Sequence, residues 1–149
     1  MSYYNGYVRS LTPSLTDDNW ALAAGASESC RVLEVSWGGE STTTTAMATR
    51  IARSDSQTGA TTAGNVAKGH PNAATNLVAF ATTFATTQPT LNAGDLFMTS
   101  WNSHGGVVRW LAAPGEEFVL IGATTEICIS CRNSVGVGVS SYGTAWIED

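Results

Sequence analysis

From Leu96 to the C-terminus the chain is written in short apolar runs, LFMTSWN, GVVRWL, FVLIG, EICISCR, VGVGVS and TAWIE, each closed within a few residues by Gly, Pro, Asn or Ser. Almost no helical periodicity lies between them. Short strands bounded by turn residues at this cadence predict an all-β fold, an antiparallel β-sandwich or jelly-roll-like arrangement. A repeat architecture would need a fixed period of self-similarity, and none is present. At 149 residues the chain is read as one sandwich domain over residues 16–149. Residues 1–15, aromatic and polar with a break at Thr12-Pro13, are read as an extended N-terminal arm or edge strand whose loss would leave the sandwich folded.

One stretch organises the rest. GGVVRWLAAPGEE, from Gly105 to Glu117, places two glycines before a strand and Pro114-Gly115 after it, where the chain turns into FVLIG. Val107, Arg109 and Leu111 alternate with Val108, Trp110 and Ala112, so the strand is expected to be covered on both faces. An arginine in such a place requires an acceptor or an aromatic face.

Upstream, WALAAGA follows Asp17, Asp18 and Asn19, and is read as a strand with Trp20, Leu22 and Ala24 on one face. CRVLEVSWGGE is a half-buried strand, with Leu33, Val35 and Trp37 inward and Glu34 and Ser36 outward. The threonines around AMATRIARS favour a strand over a helical turn. Residues 54–75 are small, polar and without periodicity, and are read as a long surface loop. NLVAFATTFATTQP resumes an apolar pattern, and Asn92 to Asp95 are expected to form a turn.

Charge narrows the partners. Only 13% of residues are charged, lysine occurs once, at Lys68, and the net charge is -5. Seven scattered cations draw no basic stripe, which argues against direct nucleic-acid binding. No apolar run has the length of a membrane span, and MSYYNGYVRS lacks the basic and apolar regions of a secretory signal, so cytosolic synthesis is expected. Cys30, Cys128 and Cys131 are expected to be thiols, because Cys128-Ile-Ser-Cys131 lies in a strand pattern where residues three apart face opposite ways.

Candidates for chemistry are weak. His70 and His104 sit in turns with no carboxylate or second histidine at ligand spacing, there is no GxSxG elbow and no glycine-rich phosphate loop, and the acidic pairs Asp17-Asp18, Glu116-Glu117 and Glu148-Asp149 are ordinary surface charge. No catalytic residue, metal or cofactor is expected. Five tryptophans could form a sugar-stacking platform, but Trp37 and Trp110 lie in strand patterns where a core or subunit interface is the better home. In VGVGVS, Gly136 and Gly138 leave one face without side chains, open to close approach by another backbone.

From Arg31 to the C-terminus, RVLEVSWGGE, TRIARS, GGVVRW with its PGEE turn, and the terminal TAWIED together resemble the small virion structural proteins of tailed phages, in particular head decoration or cement proteins. Phage tail and fibre proteins share this texture. The resemblance implies a non-enzymatic β-sandwich made in the host cytoplasm and located on the virion. It would bind the major capsid protein on the shell surface as a homotrimer, with the arm reaching its neighbours. Tyr3, Tyr4 and Tyr7 of the arm, Arg109 and Trp110 of the organising strand, and Trp146 are the expected interface residues. A carbohydrate-binding β-sandwich module is the competing class.

Overall fold

The computed structural model describes residues 3–11, 19–25, 28–54, 61–72, 78–84, 88–122, 128–135 and 141–148, with the backbone alone at 9–11, 61, 83, 84, 128–135, 141, 142 and 144–146. Twelve strands run through them: β1 (Tyr3–Leu11), β2 (Trp20–Ala24), β3 (Ser29–Glu40), β4 (Ala46–Ser54), β5 (Thr61–Ala63), β6 (Asn65–Lys68), β7 (Val78–Phe84), β8 (Leu91–Asn102), β9 (His104–Leu111), β10 (Phe118–Ile121), β11 (Cys128–Val135) and β12 (Ser141–Glu148). No helix occurs among the described residues, as the strand cadence predicts. All recorded pairings are antiparallel, and they build two six-stranded sheets. One is ordered β10-β3-β12-β1-β6 with β9 also on β3; the other is ordered β5-β7-β2-β11-β4-β8.

The sheets close on one apolar interior. Tyr4 and Val8, then Val32, Val35 and Trp37, with Leu120 and Ile147, enter it from the first sheet; Trp20 and Leu22, Met47 and Ile51, Phe80 and Trp101 enter from the second. Alternation delivers them, since every second residue of a strand shares a face. Full burial of each large aliphatic side chain contributes about 1.5–3 kcal/mol. Buried Thr49 Oγ1 accepts from Trp101 Nε1 at 2.9 Å, so two groups that would be costly alone satisfy each other, while Trp37 Nε1 and Arg50 Nε are buried without a hydrogen-bond partner among the described residues.

Departures from strict alternation explain where the sequence reading shifts. Trp146 pairs with Glu34 and Ile147 with Val32, which leaves Leu33 as an extra residue in β3. This bulge moves Leu33 off the expected inner face, where Cys30 and Val32 precede it and Val35 and Trp37 follow. In β8 the expected turn at Asn92 to Asp95 is instead an irregular part of one strand. Its register on β4 slips around Ala52, and Gly94 takes φ 94°. The expected loop 54–75 contains β5, paired with β7, and β6, paired with β1.

Two larger corrections concern the ends of the argument. Within 1–15, residues 3–11 are no separate arm. They form β1, hydrogen-bonded to β12 on one side and β6 on the other, with Tyr4 fully buried. The stretch looked polar because from Tyr3 to Val8 alternate residues, Tyr4, Gly6 and Val8, are the buried ones. Conversely, β9 is not covered on both faces. Among the described residues it pairs with β3 alone, and Val107 and Leu111 are 67% and 60% exposed. Nor does the chain reverse at Pro114-Gly115: β9 and β10 both run antiparallel to β3, opposite Glu34 to Glu40 and Ser29 to Val32, so they lie in line along its margin.

A tight corner carries the chain from one sheet to the other between β8 and β9. Ser103, fully buried there, donates through Oγ to the Thr43 carbonyl at 2.8 Å and accepts from the Thr45 amide at 2.9 Å. Its own amide donates to the Thr45 carbonyl, and its carbonyl accepts from the Ser41 amide. Residues 41–45 are thereby pinned to the corner. The fit requires glycine at 39, where an added Cβ would sit 2.0 Å from the Ser103 carbonyl oxygen.

Candidate functional site

Apolar surface, rather than a cluster of reactive groups, distinguishes the exterior. Eight large hydrophobic side chains are exposed among the described residues, and six of them, Leu96, Met98, Val107, Leu111, Val119 and Ile121, lie on β8, β9 and β10. These strands share one flank of the sandwich. β9 and β10 line the margin of β3, and Trp37 of β3 meets Phe97 of β8 across the interior at 6.1 Å between ring centroids. Val107, Leu111, Val119 and Ile121 face out from the first sheet, as Tyr3 and Tyr7 do, whereas Leu96 and Met98, on either side of inward-facing Phe97, face out from the second. Monomers rarely expose this many large apolar groups on one face unless the surface is used.

The flank has an aromatic footing. Half-buried Trp110 stacks on Phe118 with centroids 4.0 Å apart and planes 5° from parallel, which joins β9 to β10 where the loop between them leaves the sheet. That loop turns on Pro114 and Gly115: the Glu116 amide donates to the Ala113 carbonyl, and Gly115 has φ 87°, as a type II turn requires. Glu117 Oε1 accepts from the Gly115 amide at 3.0 Å, and such bonds hold the Glu117 carboxyl below the usual carboxylate range.

Charges on the flank are paired within the chain. Arg109 grips Glu34 with both arms of its guanidinium, Nε to Oε1 at 2.6 Å and Nη2 to Oε2 at 2.7 Å, which supplies the acceptor the sequence required. Arg50 of β4 lies 3.6 Å from Asp95 of β8. Arg53 Nη1 donates to the Val119 carbonyl at 2.9 Å, a bond between the two sheets.

The expected interface residues divide. Tyr3 and Tyr7 are exposed on the outer face of the first sheet, and the Tyr3 hydroxyl donates to Glu148, the bond that raises its pKa. Tyr4 is core. Arg109 is exposed but paired, and Trp110 is a half-buried stacking partner. Trp146 holds the register position between Asn5 and Glu34, and its side chain lies outside the described residues. An open groove of about 440 Å³ on this outer face is lined by Tyr3, Leu33, Glu34, Gly69 and Leu111. It brings Tyr3 of β1 and Leu111 of β9 to one concavity.

Sequence reasoning missed Val107 and Leu111 as surface groups, although their signal was present: they share a face with Arg109, and an arginine marks the wet side of a strand. Both histidines serve turns. His104 Nδ1 donates to the Ser41 carbonyl at 2.8 Å, and His70 Nδ1 accepts from the Asn72 amide at 3.2 Å. Among the described residues no group of three His, Cys, Asp or Glu side chains is placed to hold a metal. Trp20, Trp37 and Trp101 are buried, which takes them out of any sugar-stacking platform. Cys30 is a buried thiol; Cys128 and Cys131 lie on β11 with side chains outside the described residues, as do Gly136 and Gly138 entirely. No protein family, curated protein or solved structure matches the chain.

Proposed function

We propose that the protein is a non-enzymatic structural component of a tailed-phage virion, a decoration protein that binds the major capsid protein on the shell surface as a homotrimer. The observation that carries this reading is the gathering of exposed apolar side chains on the outer face of the first sheet, Tyr3 and Tyr7 of β1 with Val107, Leu111, Val119 and Ile121 of β9 and β10. A rigid sandwich with such a face suits a protein that seats on a lattice. Low charge and the phage-like order of RVLEVSWGGE, TRIARS, GGVVRW and TAWIED support the same reading.

Such a protein acts by mass action. It binds the assembled lattice better than free subunits, and so shifts the equilibrium toward the intact shell. Several weak contacts held in one oligomer give strong attachment. The shell contact is assigned to the face bearing Tyr3 and Tyr7, because tyrosine supplies large contact area at small entropic cost.

Co-sedimentation with undecorated capsids tests the proposal. Wild-type protein is expected to pellet with the shells, and the Tyr3→Ala, Tyr7→Ala double variant to fold normally but stay in solution. Folded wild-type protein that never pellets with heads would overturn the decoration role, and attachment to isolated tails instead would move the protein to another part of the particle.

A further inference from the structure

We propose that the outer edge of β9 is a self-association edge, against which a strand of a second copy of this chain pairs. The argument goes beyond the decoration reading and does not depend on it. Hydrogen bonding along β3 fixes which groups face outward. The Ala112 amide donates to the Leu33 carbonyl, so in the continuous register from Glu34↔Leu111 to Gly38↔Val107 the pairs at Trp110 and Val108 exchange bonds with β3. The amides and carbonyls of Val107, Arg109 and Leu111 therefore point away from it. No backbone or side-chain partner meets them among the described residues.

β10, which continues the same margin of β3, is blunted, and β9 is not. Along β10 the same alternation turns Val119 outward, but its carbonyl is taken by Arg53. Along the start of β8 the register slips at Ala52, an irregularity that guards that part of its edge, whereas Phe97 to Asn102 pair with β4 without a slip. β9 runs without a slip from Val107 to Leu111 and carries neither proline nor lysine. Those are the devices by which proteins keep an edge from pairing.

A second copy is the occupant this chemistry fits. Val107 and Leu111 flank Arg109 on the exposed face, and the Arg109 charge is already neutralised by Glu34 of the same chain, so two copies meet there without opposed unpaired charges. About 800 Å² from each partner makes a standard interface, and Val107, Leu111, Val119 and Ile121, exposed on the outer face of β9 and β10, supply apolar surface beside the paired backbones. Edge pairing extends a sheet from one subunit into the next.

Light scattering on the eluting full-length chain tests the inference without any capsid. Wild type is expected as a dimer or trimer. Val107→Pro is expected to elute as a monomer, because the amide it removes is an outward one and the β3 ladder stays whole. Val107→Lys with Leu111→Lys tests the same edge without proline, and Tyr7→Lys, away from the flank, should leave the oligomer intact. Thermal melts confirm that each variant is folded. A monomeric wild type, or folded edge variants that keep the wild-type mass, would overturn the assignment.

Discussion

β1 and β9 differ in a way that their sequences invert. YYNGYVRSL, with glycine, asparagine and three tyrosines, has the texture of a loose end, yet it lies inside a sheet with strands on both sides. GGVVRWL has the texture of a central strand, yet among the described residues it pairs only with β3. Composition reports what a strand's faces can tolerate; its place in the sheet is decided by which edges are paired. An inner strand needs one buried face and two paired edges, and β1 has both, with Tyr4 and Val8 among its inward side chains.

The largest effect should come from attacking β1. Removing residues 1–11 takes an inner strand from its sheet and is expected to leave no cooperative melt, against the sequence expectation of an expendable arm. Tyr4→Ala alone should cost about 3–5 kcal/mol in urea unfolding, the range for a large aromatic lost from a core. A truncated chain that melts like wild type would return β1 to the status of an appendage.

The corner beside β9 should come next. Gly39→Ala drives a Cβ into the Ser103 carbonyl, and overpacking against backbone costs typically about 1–3 kcal/mol. Ser103→Ala removes a hydroxyl that bonds two backbone groups of residues 41–45 and should cost a similar amount. Within the monomer β9 itself should be nearly indifferent: at concentrations low enough to dissociate the oligomer, Val107→Ser or Leu111→Ser is expected to shift stability by less than about 0.5 kcal/mol, as exposed sites do. A loss comparable to Tyr4→Ala would mean that β9 is covered within the monomer after all.

The smallest effect concerns pH. The Glu117 carboxyl is held below the usual carboxylate range by hydrogen bonds from the Gly115 amide and its own, so the stabilisation is present above that range and is lost as pH falls through the depressed value. The Gly115 amide resonance should titrate with a midpoint below that of an ordinary carboxylate, and Glu117→Gln should abolish the transition.

Much of the fold was legible in the residues. The all-β class, the strands around Trp20, Val35 and Met47, and the buried placement of Trp37 follow from period-two alternation and β-branched content. Bulges escaped because one inserted residue at Leu33 leaves no mark in composition, only a switch of face. The candidate surface was half legible. Tyr3 and Tyr7 are exposed, whereas Tyr4 followed its neighbours by association, and Arg109 and Val107 were expected on a covered face but are exposed. Edge status comes from pairing between distant segments, and no local window contains it.

The in-line arrangement of β9 and β10 also bears on what the chain can carry. Leu111 and Phe118 are fixed opposite Glu34 and Val32, so both ends of the intervening segment are clamped to one neighbouring strand whatever lies between them. Lengthening such a segment costs little, roughly 0.6 kcal/mol for each doubling. The β9–β10 junction is therefore a natural insertion point. A peptide tag placed after Gly115 should leave the melting temperature almost unchanged while projecting beside the β9 edge, a site for display or cargo built into the margin of the sandwich.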